Sequence, residues 1–385
     1  MPTYPTYKLS EIARSTKGKK PKSVSKEKTG GFEIPYVDIK AFEKGIIDNY
    51  TDGENCTFCK PDDVLIVWDG ARCGFVGRGV EGAIGSTLAK ISSDKYTNDF
   101  LFYFLQSKYK VLNSNPRGVG IPHIEPNLLW NFEIPDVDKT TQHAIVTRIE
   151  TLFAELDKAV QHLRTAQQQI KTYRQAVLRN AFEGYKEMKT VLELSTIVTS
   201  GSRGWAKYYT DKKGARFVRI TDLTRDKIVL QNKNIQYISL PSNAEGKRSL
   251  LQPNDVLVSI TADLGSIALV PQNIGEAYIN QHIAMIRFKN TRLGKFMAYY
   301  LKSDFGQKEL LKNKRGNGKL GLGLDDIRNT YIPFVAEEDA IEIVNKIESR
   351  LSQATATETY IENALQQAEA LRQSILKKAF SGELV

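Results

Sequence analysis

The sequence predicts an α+β chain: two mixed α/β domains joined by two long, antiparallel coiled-coil helices, the second half repeating the first. Three observations carry this. First, the amphipathic segment YRQAVLRNAFEG (173–184) returns near the C-terminus as LRQSILKKAFSG (371–382). Second, one constant offset aligns Ile134-Pro135 with Ile332-Pro333, Ile149-Glu150 with Ile347-Glu348 and Gly184 with Gly382, with no gap between. Third, the segments upstream return in the same order: PYVDIKAF (35–42) parallels RFVRITDL (216–223), KPDDVLIV (60–67) parallels QPNDVLVS (252–259), and NDFLFYFLQSKY (98–109) parallels GKFMAYYLKSDF (294–305). A repeat of this extent fixes the architecture before any single element is read. The order is domain (1–133), helix (134–184), domain (185–331), helix (332–385).

Within each domain, short apolar runs alternate with turns. DVLIVWDGARCGFVG (63–77) and DVLVSITADLGSIALV (255–270) read as strand, glycine turn and strand. Around Phe102 to Leu105 and Phe296 to Leu301 the apolar spacing becomes helical. The alignment drifts between the matched pieces, which places the insertions in loops.

In the first long helix, apolar or small residues stand at Ile149, Leu152, Leu156, Ala159, Leu163, Ala166, Ile170, Tyr173 and Val177. Their alternating steps of three and four make a heptad seam. The second seam is interrupted by Arg350 and Thr357, then continues through Ile361, Ala364, Ala368, Leu371 and Ile375. Pro135 and Pro333 precede the helices, and Gly184 and Gly382 stand where C-terminal caps belong. About 40 residues make a rod of roughly 60 Å, and an apolar stripe that long needs a partner. Both seams share period and length, so the helices are expected to pair with each other rather than with a second chain.

The chain of 385 residues carries 54 Lys and Arg against 44 Asp and Glu, a net charge of +10 that favours a polyanionic partner, nucleic acid first. No window of about 18 apolar residues occurs, which excludes a helical membrane span. The opening MPTYPTYKLSEIARS lacks the apolar core of a signal peptide. Cys56, Cys59 and Cys73 are too few for a disulfide framework. The expectation is a soluble, cytoplasmic protein.

Two basic loops occupy corresponding places. TKGKKPKSVSKEKTGG (16–31) is lysine-rich, and Lys17, Lys19, Lys20 and Lys22 are its candidates for phosphate contact. TSGSRGWAKYYTDKKGARFVR (199–219) mixes Arg203, Lys207, Lys213 and Arg219 with Trp205 and Tyr208, a set able to reach base edges or stack as well. Solvated, flexible loops carry similar residues; what favours DNA is that both loops precede the same repeated strand. The glycine loops NPRGVGIPHIEP (115–126) and RGNGKLGLGLDD (315–326) add Arg117, Arg315 and Lys319. GNGKLG fits a dinucleotide fingerprint formally, but that fingerprint must follow a strand, and the preceding GQKELLKNK looks helical.

No catalytic constellation assembles. Cys56-x-x-Cys59 suggests zinc, yet a structural site needs four ligands and only Cys73 and the scattered His123, His143, His162 and His282 remain. PDD (61–63) is matched by PND (253–255) in the same turn, so Asp62 fits a turn residue better than a metal ligand. Neither a phosphate-binding GxxxxGK[ST] loop nor an Asn/Asp-Pro-Pro-aromatic methyltransferase signature occurs; NPRG (115–118) is the nearest approach. No metal site and no catalytic residue are expected.

The helix endings YRQAVLRNAFEG and LRQSILKKAFSGEL and the helix beginnings IPDVDKTTQHAIVTRIE and IPFVAEEDAIEIVNKIE resemble the specificity subunits of type I restriction–modification systems. The motifs PYVDI/FVRITDL and PDDVLIVWDGARCG/PNDVLVSITADLG extend the resemblance over essentially the whole chain. SGSRGWAKYY is similar to openings common in that family, whereas loop 16–31 lacks the Arg-Gly-Trp pattern. The resemblance implies two target-recognition domains, each reading one half of a bipartite double-stranded DNA sequence. It also implies helices that act as spacer and as docking surface for two methyltransferase subunits, with restriction subunits joining them. S-adenosylmethionine, ATP and Mg2+ would serve those partners, and no cofactor is expected in this chain. Arg174 and Gln175, identical with Arg372 and Gln373, together with Phe182 and Phe380, form the expected docking face. Unlike halves predict an asymmetric target, with half-sites centred about one helical turn, near 10 bp, apart. The rival readings are a DNA methyltransferase or nuclease with an unrecognised site, and a coiled-coil adaptor without sequence preference.

Overall fold

The computed structural model describes residues 4–118, 120–211, 213–241, 247–312 and 321–384. Its contacts divide the chain into two compact units, residues 1–164 with 362–385 and residues 165–361. Each unit takes one globular domain and a segment of both long helices.

The first unit runs β1 (Thr6–Lys8), α1 (Leu9–Ile12), β2 (Arg14–Lys17), β3 (Ile34–Val37), α2 (Ile39–Lys44), β4 (Tyr50–Thr51), β5 (Thr57–Cys59), β6 (Val64–Val67), β7 (Val76–Arg78), β8 (Gly82–Ile84) and β9 (Leu88–Ser92). It continues through α3 (Asn98–Ser114), α4 (Pro126–Trp130) and β10 (Glu133–Pro135) into α5 (Lys139–Phe182). Strands β2-β9-β6-β7 form an antiparallel sheet, and β4-β3-β8-β5 a second sheet in which β3 and β8 run parallel. β1 pairs with β10 at the root of the long helix.

The sequence VLIV of β6 is apolar throughout because the strand is covered on both faces, as the period of two dictates. Val64 and Ile66 pack among Phe100, Phe104 and Leu105 of α3, while Leu65 and Val67 pack among Val37, Ile84 and Leu88. Thr97 caps α3 by accepting from the Phe100 amide, and its apolar stripe then falls on Phe100, Leu101, Phe104 and Leu105.

The second unit repeats this plan: β11 (Met188–Thr190), α6 (Val191–Leu194), β12 (Ser195–Ser200), β13 (Tyr209–Thr210), β14 (Ala215–Val218), β15 (Gln236–Ile238), β16 (Val256–Ser259), β17 (Ile267–Leu269), β18 (Ala277–Ile279) and β19 (Ile283–Phe288). It ends with α7 (Gly294–Lys302), α8 (Asp304–Leu311), α9 (Leu324–Arg328), β20 (Tyr331–Pro333) and α10 (Glu337–Ser381). The sheets are β12-β19-β16-β17 and β13-β15-β14-β18, the latter again with one parallel pair, β14 and β18. β11 pairs with β20. The second sheets differ in strand order, so the repeat is close in the central sheet and loose outside it.

The PDD and PND turns are built alike. Asp63 Oδ2 accepts from the Lys60 amide at 2.8 Å and Asp255 Oδ2 from the Gln252 amide at 2.8 Å. The same carboxylates pair with Lys90 on β9 and Arg287 on β19. Asn254 takes φ 68°, a left-handed position that Asn tolerates.

In each unit the helix segments pack antiparallel. Val177, Leu178 and Phe182 share a core with Ala340, Val344 and Ile347, and Ile145, Val146 and Ile149 share one with Ile375, Leu376 and Ala379. The seam itself corrects the expected row. In α5 it runs through Ile149, Phe153, Leu156, Val160, Leu163, Gln167, Ile170, Arg174 and Val177, all buried or half-buried. Leu152 and Ala166 are half-buried beside it, whereas Ala159 and Tyr173 are exposed. In α10 it runs through Ile347, Leu351, Ala354, Glu358, Ile361, Leu365, Ala368, Arg372 and Ile375, with Ala364 half-buried beside it and Leu371 exposed. Every other seam position therefore lies one residue later than apolar spacing suggests, and it often holds a polar side chain. Arg350 and Thr357 interrupt nothing, since both face away from the seam.

Those polar side chains bond the opposite helix, and they include two residues of the expected docking face. Arg174 donates to Glu358 at 3.0 Å and to Thr355 at 2.8 Å. Arg372 pairs with Asp157 and lies 4.2 Å over the Phe153 ring. Phe182 stands edge-on to Phe296 at 5.3 Å and Tyr300 at 5.4 Å; Phe380 does the same to Phe100 at 5.2 Å and Phe104 at 5.4 Å. The repeated Ala-Phe is thus an anchor of each helix end to its domain. Gln175 is exposed and Gln373 half-buried. Phe182→Ala should lower the stability of the second unit by about 3–5 kcal/mol, whereas Gln175→Ala should stay within about 0.5 kcal/mol; urea unfolding followed by tyrosine and tryptophan fluorescence measures both.

Candidate nucleic-acid interface

Both basic loops leave their sheets at an equivalent corner. Gly18 follows β2, its amide donating to Leu88 O at 2.9 Å, and the Lys19 amide donates to Ile84 O at 3.1 Å. A Cβ on Gly18 would lie 2.2 Å from Gly85 O, so no other residue lets the loop cross the end of β8. In the second unit Gly201 follows β12, and a Cβ there would lie 1.9 Å from Ile279 O at the end of β18.

In the first unit the loop is stitched to the glycine loop through one carboxylate. Lys17 Nζ lies 2.9 Å from Asp69 Oδ2, and Asp69 Oδ1 lies 2.7 Å from His123 Nδ1. Arg117 and His123 exchange backbone hydrogen bonds, both 2.9 Å, and the Gly70 amide donates to Pro122 O at 2.7 Å. Lys19, Lys20 and Arg117 are exposed, with no side-chain partner among the described residues. Lys22 pairs with Glu54 at 3.1 Å. The Lys22 pair is solvated and holds its ammonium group weakly, so that lysine stays available to a phosphate, whereas Lys17 pairs with the half-buried Asp69.

In the second unit Arg203, Lys207 and Lys213 are exposed, Lys207 Nζ resting 5.0 Å from the Tyr208 ring. Trp205, expected to stack on or wedge between bases, is placed against the domain. It is 5% exposed and packs on Phe217 at 5.8 Å and Tyr278 at 5.5 Å, which makes it the apolar foot of the loop. Tyr208 is half-buried against the same cluster. Arg219 is likewise engaged: its Nη2 donates to Asn234 O at 2.7 Å, and Arg216 donates to Gln231 O at 2.7 Å. Together they clamp segment 231–234. Burial lowers the Arg216 guanidinium pKa and raises that of the neighbouring Asp222 carboxyl. Arg315 and Lys319 lie outside the described residues.

Sequence reasoning missed Asp69 and His123 as a pair, because 54 residues separate them. It also missed Gly18 and Gly201, for which Thr-x-Gly after a strand in both copies was the available signal. Among the described residues no group of His, Cys, Asp and Glu could hold a metal ion, and no helix is long and apolar enough to cross a membrane. Cys59 and Cys73 are buried, free thiols whose pKa burial raises.

Comparison with known proteins agrees with this architecture. Residues 1–163 and 186–368 match the family described as type I restriction modification DNA specificity domain. The chain is 26% identical over 384 residues to the type I restriction enzyme EcoBI specificity subunit of Escherichia coli, covering 91% of this chain and 80% of that protein. It is 24% identical over 366 residues to the MjaVIII specificity subunit of Methanocaldococcus jannaschii, covering 89% and 84%. Among solved structures, a chain of a type I restriction–modification system superposes with a TM-score of 0.76 at 20% identity, covering 100% of this chain and 99% of that one. The HsdS subunit from Thermoanaerobacter tengcongensis superposes at 0.58 with 19% identity, covering 100% and 98%. With the domain written twice, the match on both copies and the shared fold, the chain belongs to the type I restriction–modification DNA specificity family.

Proposed function

We propose that each globular domain reads one half of a bipartite, asymmetric double-stranded DNA target, and that the paired helices set the distance between the half-sites. The observation that carries this is the same glycine-clasped corner in both domains, each releasing a basic loop with exposed cations that have no ion-pair partner among the described residues. Lys19, Lys20, Lys207 and Lys213 hold phosphates, which sets affinity without regard to sequence. Arg117 and Arg203, whose forks have no partner among the described residues, reach base edges in the major groove. The corners carry different side chains in the two copies, which supports an asymmetric target.

The same helices dock two methyltransferase subunits, and restriction subunits join through them. With Arg174, Arg372, Phe182 and Phe380 engaged inside the units, docking falls to outward residues: Gln175, Tyr173, Tyr360 and Leu371, the last three exposed at 43%, 75% and 51%. The chain itself performs no catalytic step; S-adenosylmethionine, ATP and Mg2+ belong to the partners. Purified chain incubated alone with S-adenosylmethionine or Mg2+ should therefore neither methylate nor cut DNA, and turnover would favour the enzyme reading instead.

Alanine at Lys19 and Lys20 should weaken binding evenly across sequences and reduce the salt slope by about 1 per lost phosphate contact. Arg203→Ala should instead relax one half-site only, by roughly 1–3 kcal/mol. Titrations in a salt series, beside selection from a random DNA pool, separate the two; a changed motif in the lysine variant would overturn its assignment. Inserting four residues, one helical turn, after Gln168 should alter the selected spacer and leave both half-sites intact. An unchanged spacer would remove the helices as the ruler.

A further inference from the structure

We infer that His123 is a base-reading residue of the first domain, held by Asp69 so that its Nε2 accepts a hydrogen bond from the exocyclic amine of an adenine or cytosine. The inference rests on the DNA-reading role proposed above and adds the reading atom.

The geometry fixes which nitrogen is which. Asp69 Oδ2 lies 2.9 Å from the Lys17 ammonium and pairs with it as a carboxylate, a group that only accepts. The ring nitrogen 2.7 Å from its other oxygen, Nδ1, must carry the hydrogen. In the neutral ring this leaves Nε2 as the acceptor, and no described residue bonds it. The side chain is 45% exposed, so the ring is partly accessible from solvent.

The ring is also held in place. The backbone pair between Arg117 and His123 closes the glycine loop under it, and the Gly70–Pro122 bond ties that loop to the end of β6. Gly118, at φ 96°, lies against the ring: a Cβ there would sit 3.3 Å from Cδ2. A reading group must be positioned by its surroundings, and here three separate contacts do so. Its neighbours through these contacts are Lys17 and Arg117, with Lys19 on the same loop as Lys17. Cations of this kind draw a phosphate backbone towards this corner of the domain.

The second domain supplies the contrast. At the equivalent strand end, Thr261 Oγ1 lies 2.7 Å from His282 Nδ1, a similar arrangement reached from a different point in the chain. There Gln281 Nε2 sits 2.9 Å from the ring's Nε2, so both nitrogens are occupied and the histidine is a structural one. Only the first copy leaves a ring nitrogen open.

The test is selection of targets from a random double-stranded DNA pool by the full chain, comparing wild type with His123→Ala, His123→Gln and Asp69→Asn. In the alanine variant, one base-pair preference in one half-site should fall roughly 2- to 13-fold, as the loss of a single hydrogen bond gives, with the other half-site and the salt slope unchanged. Asp69→Asn should weaken the same position, since the ring loses its orienting partner, and glutamine should retain part of the preference. Replacing the selected adenine by purine, or cytosine by 2-pyrimidinone, removes the amine and should weaken wild type but not His123→Ala. An even loss over all sequences with a flatter salt slope, an unchanged motif, or indifference of wild type to the amine-free base would each overturn the assignment. If wild type itself enriches no motif, it is the recognition role that fails rather than the role of His123.

Discussion

Each domain depends on one strand covered on both faces. In β6 and in β16, alternate residues feed two different cores: Val64 and Ile66 face α3 while Leu65 and Val67 face the second sheet, and Val256 and Val258 part from Leu257 in the same way. Full burial of such a side chain contributes about 1.5–3 kcal/mol, so a one-residue slip that exchanged the faces would repack both cores at once. That constraint fixes the register of β6 and β16 and hence the position of the residues just beyond their ends. These are Asp69 in one copy and Thr261 in the other, each beside a histidine. The candidate interface corner is therefore placed by a strand buried on both faces, although its own residues lie on loops.

The periodic and repeated parts of this plan were legible in the sequence. Strand, turn and strand at 63–77 and 255–270, the helical spacing near 102 and 296, and both long helices are encoded by local pattern, and the structure contains them. The heptad seam was legible only in its apolar half. Ile149, Leu156, Ile170 and Val177 stand out in any apolar count, whereas Gln167 and Arg174 occupy seam positions that such a count passes over. The exposed Tyr173 and Leu371 drew the expected row one residue early, because apolar residues beside a polar seam position look like the seam itself.

The candidate interface was legible as charge but not as geometry. An aromatic ring within a basic loop reads as a stacking group until Phe217 and Tyr278, distant in the chain, are seen to cover it. Arg219 likewise looks like a reader until Asn234 is found to hold it. Conversely, His123 carried no signal in a search for metal ligands, since its partner Asp69 is one side chain rather than a cluster. In each case the deciding fact is a contact between residues far apart in sequence, which neither composition nor period reports.

The two copies also differ in a way that bears on how such a chain diversifies. The elements that bury apolar surface are kept nearly the same: the central sheet, the Ala-Phe anchors and the turn carboxylates Asp63 and Asp255 with their cations. The corner that faces outward is not. Its histidine comes from the glycine loop in one copy and from the turn just before β19 in the other, and the loop aromatic Trp205 has no counterpart in the lysine-rich loop of the first. Exposed loop residues can change without opening a cavity or stranding a buried charge, so their replacement costs the fold little. The clasp glycines are the exception, because a Cβ at Gly18 or Gly201 meets backbone oxygen that cannot move without shifting the parallel strand beneath it. The surface is thus free to vary beyond the clasp and is fixed at it, which allows the two halves of one chain to share a scaffold while presenting different side chains.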